Sequence, residues 1–242
     1  MRLVELPTDL AVAAAATDLL AATLRTRPRA NVILPAGRTP RLLYAELLRR
    51  ALRRELDLAQ VRFFQLDEYV GCAPADARSF AAQLRRELLD PLRRKAEQDA
   101  LLDGSARDPA AEIARHARAL RDAGGADVAF LGVGRNGHVA FNEPGTRLID
   151  GARIVDLADA TRAGAAAEFA PAPAPTRGIT LGLAEIAAAK QIALLATGAG
   201  KRAIVAALLR EPASHERPAS LLLDQRDFTL LVDAEAHGGA QR

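Results

Sequence analysis

Short apolar runs rich in β-forming residues alternate with helix-like patterns along most of the 242-residue chain. This alternation predicts an α/β fold with a largely parallel sheet, because a helical crossover returns the chain to start a parallel neighbour. The runs at 128–131 and 192–195 are almost continuously apolar, which indicates central strands covered on both faces. Strands are predicted at 31–34, 61–66, 127–131, 154–157, 178–181, 191–196 and 228–232, and helices at 10–24, 40–54, 80–94, 109–123, 183–190 and 201–209.

The length and composition favour one domain. Half of the residues are hydrophobic, so residues 1–242 can bury one sizeable core, and we expect a single domain over that range. The segment 163–175 is rich in alanine and proline. We expect a frayed helix end and a surface loop there, and no domain boundary.

Charge and cysteine content argue against several function classes. The net charge of +3 comes from scattered arginines with few aromatic residues nearby, which argues against a nucleic-acid partner. The single cysteine, Cys72, excludes an internal disulfide and a thiolate cluster and fits a reducing compartment. No signal peptide or membrane span is evident, so we expect a cytoplasmic protein with no membrane partner. His138 has no second His or Cys nearby, so we expect no metal site.

The segment that follows the predicted strand at 127–131 concentrates glycines with an imidazole and a carboxylate. Its GVGRNG letters match a dinucleotide-binding fingerprint, but the FNEPG run that follows cannot continue the helix that this fingerprint requires. We expect Gly134 and Gly137 instead to let backbone amides approach an anionic or polyhydroxylated ligand. His138 and Glu143 lie just past a strand end, where open α/β sheets bind ligands, so this loop predicts proton-transfer chemistry.

Two carboxylates follow another apolar strand. Asp67, if it faces the same crevice, would be partly buried and suited to act as a general base, while Glu68 points the opposite way. A more ordinary interpretation is a solvated acidic pair, or an acid at the start of the next segment.

Two further strand ends predict binding of an anion. In the segment Ala36-Gly37-Arg38-Thr39, Thr39 is expected to cap the following helix, with Pro40 at its first position, so that free amides and Arg38 could hold a phosphate. Lys201, after a glycine loop, could reach a phosphate over the sheet. An ordinary capped helix and a surface lysine are the alternatives.

Taken together, the segments 35–40, 66–71, 134–145, 198–201 and 218–220 resemble the glucosamine-6-phosphate deaminase family, which is related to 6-phosphogluconolactonases. The run GHVAFNEPG at 137–145 is the most specific part. The resemblance implies a Rossmann-like three-layer α/β/α sandwich that converts an amino-sugar phosphate, glucosamine 6-phosphate first, to fructose 6-phosphate and ammonia. It implies no cofactor, a small sugar phosphate as partner, and a monomer or homo-oligomer.

The resemblance also implies roles for four residues. His138, oriented by Glu143 and Asn136, would open the pyranose ring. Asp67 would move a proton from carbon 2 to carbon 1, and the ene-amine intermediate would then lose ammonia. The open-chain carbonyl would stabilise the developing charge.

The chain departs from the family pattern at two cationic elements. Ala167 stands where the family has an arginine that grips the substrate phosphate, and DGA at 150–152 replaces a Ser-Arg-Thr element. Arg38 is the first candidate to replace the missing cation, and Arg162 and Arg177 are weaker ones.

Three alternative functions remain at this stage. The same proton chemistry could act on another amino sugar. A 6-phosphogluconolactonase-type hydrolase would use His138 as the base for water, although the FNEP run at 141–144 argues against it. A catalytically silent sugar-phosphate sensor is suggested only by the two missing cationic elements.

Overall fold

The computed structural model describes residues 1–37 and 39–238. Its strands are β1 (Arg2–Leu6), β2 (Asn31–Leu34), β3 (Arg62–Gln65), β4 (Asp67–Tyr69), β5 (Val128–Gly132), β6 (Arg153–Asp156), β7 (Arg177–Thr180), β8 (Gln191–Ala196) and β9 (Phe228–Asp233). Its helices are α1 (Asp9–Thr26), α2 (Arg41–Leu52), α3 (Phe80–Leu84), α4 (Pro109–Asp122), α5 (Asp159–Phe169), α6 (Leu183–Ala187), α7 (Arg202–Arg210) and α8 (Ala234–His237).

Six strands form a parallel sheet in the order β1-β9-β8-β5-β2-β3. Successive side chains of its central strands enter two different hydrophobic clusters. Ala129 and Leu131 pack with α4, α6, α7 and α8, whereas Val128 and Phe130 pack with α1, α2 and α3. Because a strand points alternate side chains to opposite faces, this division shows a sheet covered by helices on both sides. The predicted α/β/α sandwich with a largely parallel sheet is confirmed.

A second sheet of three antiparallel strands, in the order β4-β7-β6, was not predicted. The sequence interpretation assigned 154–157 and 178–181 to the parallel sheet and missed β4, and that part was wrong. The runs are too short to show their partners, and β6 is only half buried. The edge strand β1, which is mostly exposed, was missed too.

Several helix ends differ from the predicted ones. Helix α2 begins at Arg41, so Pro40 occupies the cap position and no side chain caps the helix. The predicted helix at 80–94 runs as α3 and then as a π-helical turn, Arg85–Leu89. Within the alanine-rich segment, α5 ends at Phe169. None of the helices in the described ranges has the length and hydropathy needed to cross a bilayer.

The chain passes from the main sheet to the small sheet at Leu66. The Leu66 amide donates to the Leu34 carbonyl at 3.1 Å, and its own carbonyl accepts from the Leu181 amide at 2.9 Å. These two bonds fix Asp67, the next residue, at the carboxyl end of β3. The small sheet therefore delivers a carboxylate to the edge where the parallel strands end.

Candidate active site

A cavity of about 250 Å³ lies at the carboxyl ends of the parallel strands. The segments after β2, β3, β5 and β8 all contribute to its wall, as expected for ligand sites of open α/β sheets. Its lining residues are Pro35, Ala36, Thr39, Pro40, Leu66, Asp67, Phe80, Gly132, Val133, Gly134, His138, Ala140 and Lys201. The cavity thus brings together side chains that are far apart in the sequence.

Asp67 is a buried carboxyl in this wall, with 5% of its surface exposed. Within the described residues its carboxylate has no hydrogen bond or ion pair. Burial, and then the neighbouring charge of Glu68, raise the pKa of Asp67 well above its usual range. A carboxylate with a raised pKa binds a proton more tightly, which suits a general base.

Glu68 is directed away from the cavity and fixes the start of α3. Its carboxylate accepts the Ser79 hydroxyl at 2.7 Å and the amides of Phe80 and Ala81 at 3.1 and 2.9 Å. Burial raises the pKa of Glu68, and these hydrogen bonds oppose that rise. The two adjacent carboxylates therefore have different environments. Asp67 accepts no hydrogen bond from the described residues, whereas Glu68 accepts several.

His138 is held by a carboxylate on one ring nitrogen. Its Nδ1 lies 3.3 Å from Oε2 of Glu143, which also accepts the side-chain amide of Asn136 at 3.1 Å. The Asn136 Oδ1 in turn accepts the backbone amide of His138 at 3.2 Å. The other ring nitrogen, Nε2, has no hydrogen-bond partner among the described residues. His138 lines the cavity, so Nε2 is the nitrogen left for a ligand.

Thr161, at the start of α5, completes this group. Its hydroxyl donates to Oε1 of Glu143 at 2.5 Å and lies 3.5 Å from Nδ1 of His138. Burial alone would raise the pKa of Glu143, but the hydrogen bonds from His138, Thr161 and Asn136 lower it below its usual value. The sequence interpretation mentioned Thr161 only as a family landmark, since a threonine beyond β6 carries no signal for contact with a loop after β5.

Two glycines shape the loop of residues 134–138, which is called the histidine loop below. Gly134 donates its amide to the His138 carbonyl at 2.8 Å, and Gly137 donates to the Gly134 carbonyl at 3.0 Å. Both glycine amides are therefore hydrogen-bonded inside the loop, and the approach of backbone amides to a ligand stays a prediction. A β-carbon on Gly134 would lie 2.4 Å from the His138 ring, and Gly137 has φ of 86°. Glycine lets the ring pack on the loop and lets the loop turn.

A side chain of α3 holds the loop after β2 by two hydrogen bonds. Gly37 donates its amide to the Gln83 side chain at 3.0 Å, and its carbonyl accepts from the same side chain at 2.7 Å. The Gly37 amide is thus occupied. Ala36 and Thr39 line the cavity, and Thr39 does not cap α2 as expected. The predicted phosphate contact of Arg38 lies outside the described residues.

Lys201 reaches the cavity from the loop after β8. Its Nζ donates to the Val133 carbonyl at 2.6 Å, and it has no carboxylate partner in the described ranges. Burial and then the charge of Arg135 lower the pKa of Lys201. Of the weaker cationic candidates, Arg162 pairs with Asp159 at 3.3 Å on an exposed face, and neither Arg162 nor Arg177 lines the cavity.

Residues 1–37 and 39–238 contain no group of three or more His, Cys, Asp or Glu side chains placed to hold a metal ion. The carboxyl and imidazole groups of the cavity instead make separate contacts. The arrangement can accept a proton at one wall, donate or accept one at the other, and attract an anion at Lys201.

Residues 8–231 match the family described as glucosamine-6-phosphate isomerases/6-phosphogluconolactonase. A glucosamine-6-phosphate deaminase of Bacillus velezensis is 35% identical over 226 residues, 93% of this chain and 93% of that protein. The solved structure of a monomeric glucosamine-6-phosphate deaminase superposes with a TM-score of 0.94 at 32% identity, covering 98% of this chain and 99% of that one.

A 6-phosphogluconolactonase from Leishmania guyanensis superposes with a TM-score of 0.78, covering 100% of this chain and 99% of that one. It is 22% identical in sequence, so this likeness concerns the fold alone. The side chains at the cavity must decide the chemistry.

Proposed function

Because the chain belongs to the family of glucosamine-6-phosphate isomerases and 6-phosphogluconolactonases, we propose that it converts glucosamine 6-phosphate and water to fructose 6-phosphate and ammonia. One observation carries this proposal. The buried carboxyl of Asp67, which has no side-chain partner among the described residues, lines the same cavity as His138, whose ring is oriented by Glu143. A base and an oriented imidazole around one small cavity match an isomerisation that moves a proton between adjacent carbons.

His138 serves in ring opening. Glu143, Asn136 and Thr161 hold Nδ1 and the backbone of His138, so that Nε2 faces the cavity and can take the proton of the carbon 1 hydroxyl and pass it to the ring oxygen of the pyranose. A hydrogen bond at one ring nitrogen fixes the tautomer at the other. Opening gives an aldehyde at carbon 1 beside the carbon that carries the amine.

Asp67 then moves the proton. It takes the hydrogen of carbon 2, which the aldehyde acidifies, and the electron pair forms an enol-amine. Return of the proton to carbon 1 converts the enol-amine to a ketimine at carbon 2. Water adds to the ketimine and ammonia leaves, which yields the ketose. No step needs an electron acceptor, so we propose that no organic cofactor takes part.

The remaining predicted residues would hold the substrate. Ala36, Thr39 and Gly134 line the cavity and would contact the sugar chain, while Gly37 and Gly137 shape the two loops that carry them. Lys201 would contact the phosphate. We propose that Arg38 also contacts the phosphate, as the sequence analysis predicts.

Release of ammonia from a substrate panel tests the proposal. We expect turnover of glucosamine 6-phosphate, followed through a coupled ammonia assay, and slower or no turnover of galactosamine 6-phosphate. Hydrolysis of 6-phosphogluconolactone without ammonia release from any amino sugar would contradict the proposal. Binding of glucosamine 6-phosphate without turnover would identify a sensor.

We also propose a cytoplasmic location. The single cysteine, Cys72, is buried and unpaired, which fits a reducing compartment. Whether the chain acts as a monomer or a homo-oligomer is to be measured by light scattering.

A further inference from the structure

A second cation, Arg135, directly follows Val133 and Gly134 of the cavity wall and approaches the turn that carries Lys201, although it does not itself line the cavity. Arg135 is exposed on the loop between β5 and His138, and its side chain extends across that loop to the turn after β8. A β-carbon on Gly200 would lie 3.5 Å from Nη2 of Arg135 and 3.9 Å from its Nε. The guanidinium therefore rests on the turn that carries Lys201.

Neither cation has a carboxylate partner within residues 1–37 and 39–238. In the described part of the chain, Arg135 makes no hydrogen bond or ion pair, and Lys201 bonds only to the Val133 carbonyl. Burial, and then the charge of Arg135, lower the pKa of Lys201, as expected for two neighbouring cations. Glu235 also lies at this turn, where its carboxylate accepts the Ala199 amide at 3.3 Å. Two adjacent positive charges without a counterion favour an anion between them.

Other arginines near the cavity are already engaged. Arg217 packs on Gly137 but pairs with Glu211 at 2.9 Å. Arg153 donates to Asn142 and Thr146, each at 3.0 Å, and so holds the loop that follows His138. Arg135 differs from both because its donors are unused and its guanidinium has two planar N–H edges that match phosphate oxygens.

We propose that Arg135 binds the phosphate of the substrate together with Lys201 and supplies the cation that is missing at Ala167. This inference rests on the proposed function, because it names the group that holds the anionic end of the same substrate. Ala167 itself is exposed on α5 and carries no polar group. Arg135 reaches the anion from the histidine loop, so substrate binding and ring positioning use one segment.

The test measures affinity for sugar phosphates directly. Fructose 6-phosphate and inorganic phosphate are titrated calorimetrically into the unmodified protein and into Arg135→Ala. Loss of a charge-assisted bidentate contact predicts affinity about tenfold to a hundredfold weaker for both ligands. Arg135→Lys should recover part of the loss. Arg49→Ala removes an exposed arginine of α2 that is paired with Glu46 at 2.6 Å and serves as the matched control, with affinity unchanged.

The outcomes separate this inference from the proposed function. If Arg135→Ala binds fructose 6-phosphate as tightly as the unmodified protein, the inference is overturned, whatever the turnover. It is also overturned if only Arg38→Ala loses affinity. If the unmodified protein releases no ammonia but loses phosphate affinity with Arg135→Ala, the proposed function fails and the phosphate site stands. In an active enzyme, Arg135→Ala should raise KM for glucosamine 6-phosphate much more than it lowers kcat.

Discussion

At the scale of single residues, two neighbouring carboxylates differ, because only one of them has partners among the described residues. Glu68 receives five donors, two of them amides at the start of α3. Asp67 receives none within the described chain, and its pKa is raised by burial. A fold selected for stability alone would satisfy both groups. The unsatisfied carboxylate is therefore the residue to which we assign the proposed proton transfer.

Replacing Asp67 with asparagine should stop turnover and stabilise the fold. The folded-state pKa of Asp67 lies above its unfolded value, so ionisation opposes folding once the pH exceeds that unfolded value of about 3.9. Asp67→Asn should therefore gain about 1–2 kcal/mol near pH 8, with a smaller gain at pH 5. Urea denaturation at both pH values checks this. If the unmodified protein and Asp67→Asn had the same free energy of unfolding at pH 8, the claim that the ionised Asp67 destabilises the fold would be contradicted.

The packing of the His138 ring on Gly134 gives a second residue-scale prediction. In Gly134→Ala the new β-carbon would lie 2.4 Å from the ring, so the imidazole must move. A displacement of about 1 Å at a reacting group can lower the rate about a hundredfold. We expect such a fall in kcat with the fold retained, as judged by circular dichroism.

The matched control is Gly164→Ala on α5. A β-carbon there meets nothing within 4 Å, and alanine favours a helix by up to about 1 kcal/mol over glycine. This variant should keep its kcat and gain slightly in melting temperature. A Gly134→Ala enzyme with the same kcat as Gly164→Ala would show that the ring position does not limit catalysis.

At the scale of elements, Glu68 joins β4 to the first turn of α3. Ser79 caps this helix by accepting the Ala82 amide, and its hydroxyl donates to Glu68. Glu68→Ala would leave buried donors without an acceptor and should cost about 3 kcal/mol of folding free energy. Glu97→Ala, at an exposed site, should change stability by less than about 0.5 kcal/mol. If Glu68→Ala and Glu97→Ala had the same urea midpoint, the claim that Glu68 stabilises the junction between β4 and α3 would be contradicted.

The elements also show how far sequence reasoning reached. The apolar runs of β5 and β8 identified central strands, because only strands covered on both faces are so continuously apolar. The three-residue strand β4 carries two carboxylates and resembles a loop in sequence, so the small sheet was missed. Its existence depends on pairing with β7, more than 100 residues away, which no local pattern encodes.

The site shows the same limit. Asp67, His138 and Glu143 were predicted because charged groups past strand ends are unusual. Thr161 and the proposed phosphate contact of Arg135 were not predicted, since each depends on a contact made only after folding. The hydrogen bond from the Gly134 amide to the His138 carbonyl was not predicted for a related reason, because it forms only when the loop folds on itself.

At the scale of the whole molecule, the cavity joins loops from residue 35 to residue 201 at one edge of the sheet. A 6-phosphogluconolactonase shares this architecture, so the fold does not choose between the two chemistries. The choice depends on which side chains meet at the cavity, and a ligand that joins the loops should stabilise all of them.

A sugar phosphate should therefore raise the melting temperature. At a hundred times its Kd, a ligand that binds only the folded state adds about 2.7 kcal/mol, which corresponds to about 5–10 °C for a chain of this size. Fructose 6-phosphate should give this shift, and fructose at the same concentration should give much less because it lacks the anion for Lys201. Equal shifts for the two sugars in differential scanning calorimetry would contradict a phosphate-binding cavity.

The central claim is that Asp67 carries a proton from carbon 2 to carbon 1 of an opened amino sugar. The most direct measurement is nuclear magnetic resonance of the fructose 6-phosphate formed from glucosamine 6-phosphate in deuterated water. The account predicts deuterium at one of the two hydrogen positions on carbon 1, because a carboxyl at a solvent-connected cavity exchanges part of its proton before returning it, and no product with Asp67→Asn. Product that contains no solvent deuterium, or an Asp67→Asn enzyme that turns over normally, would contradict it.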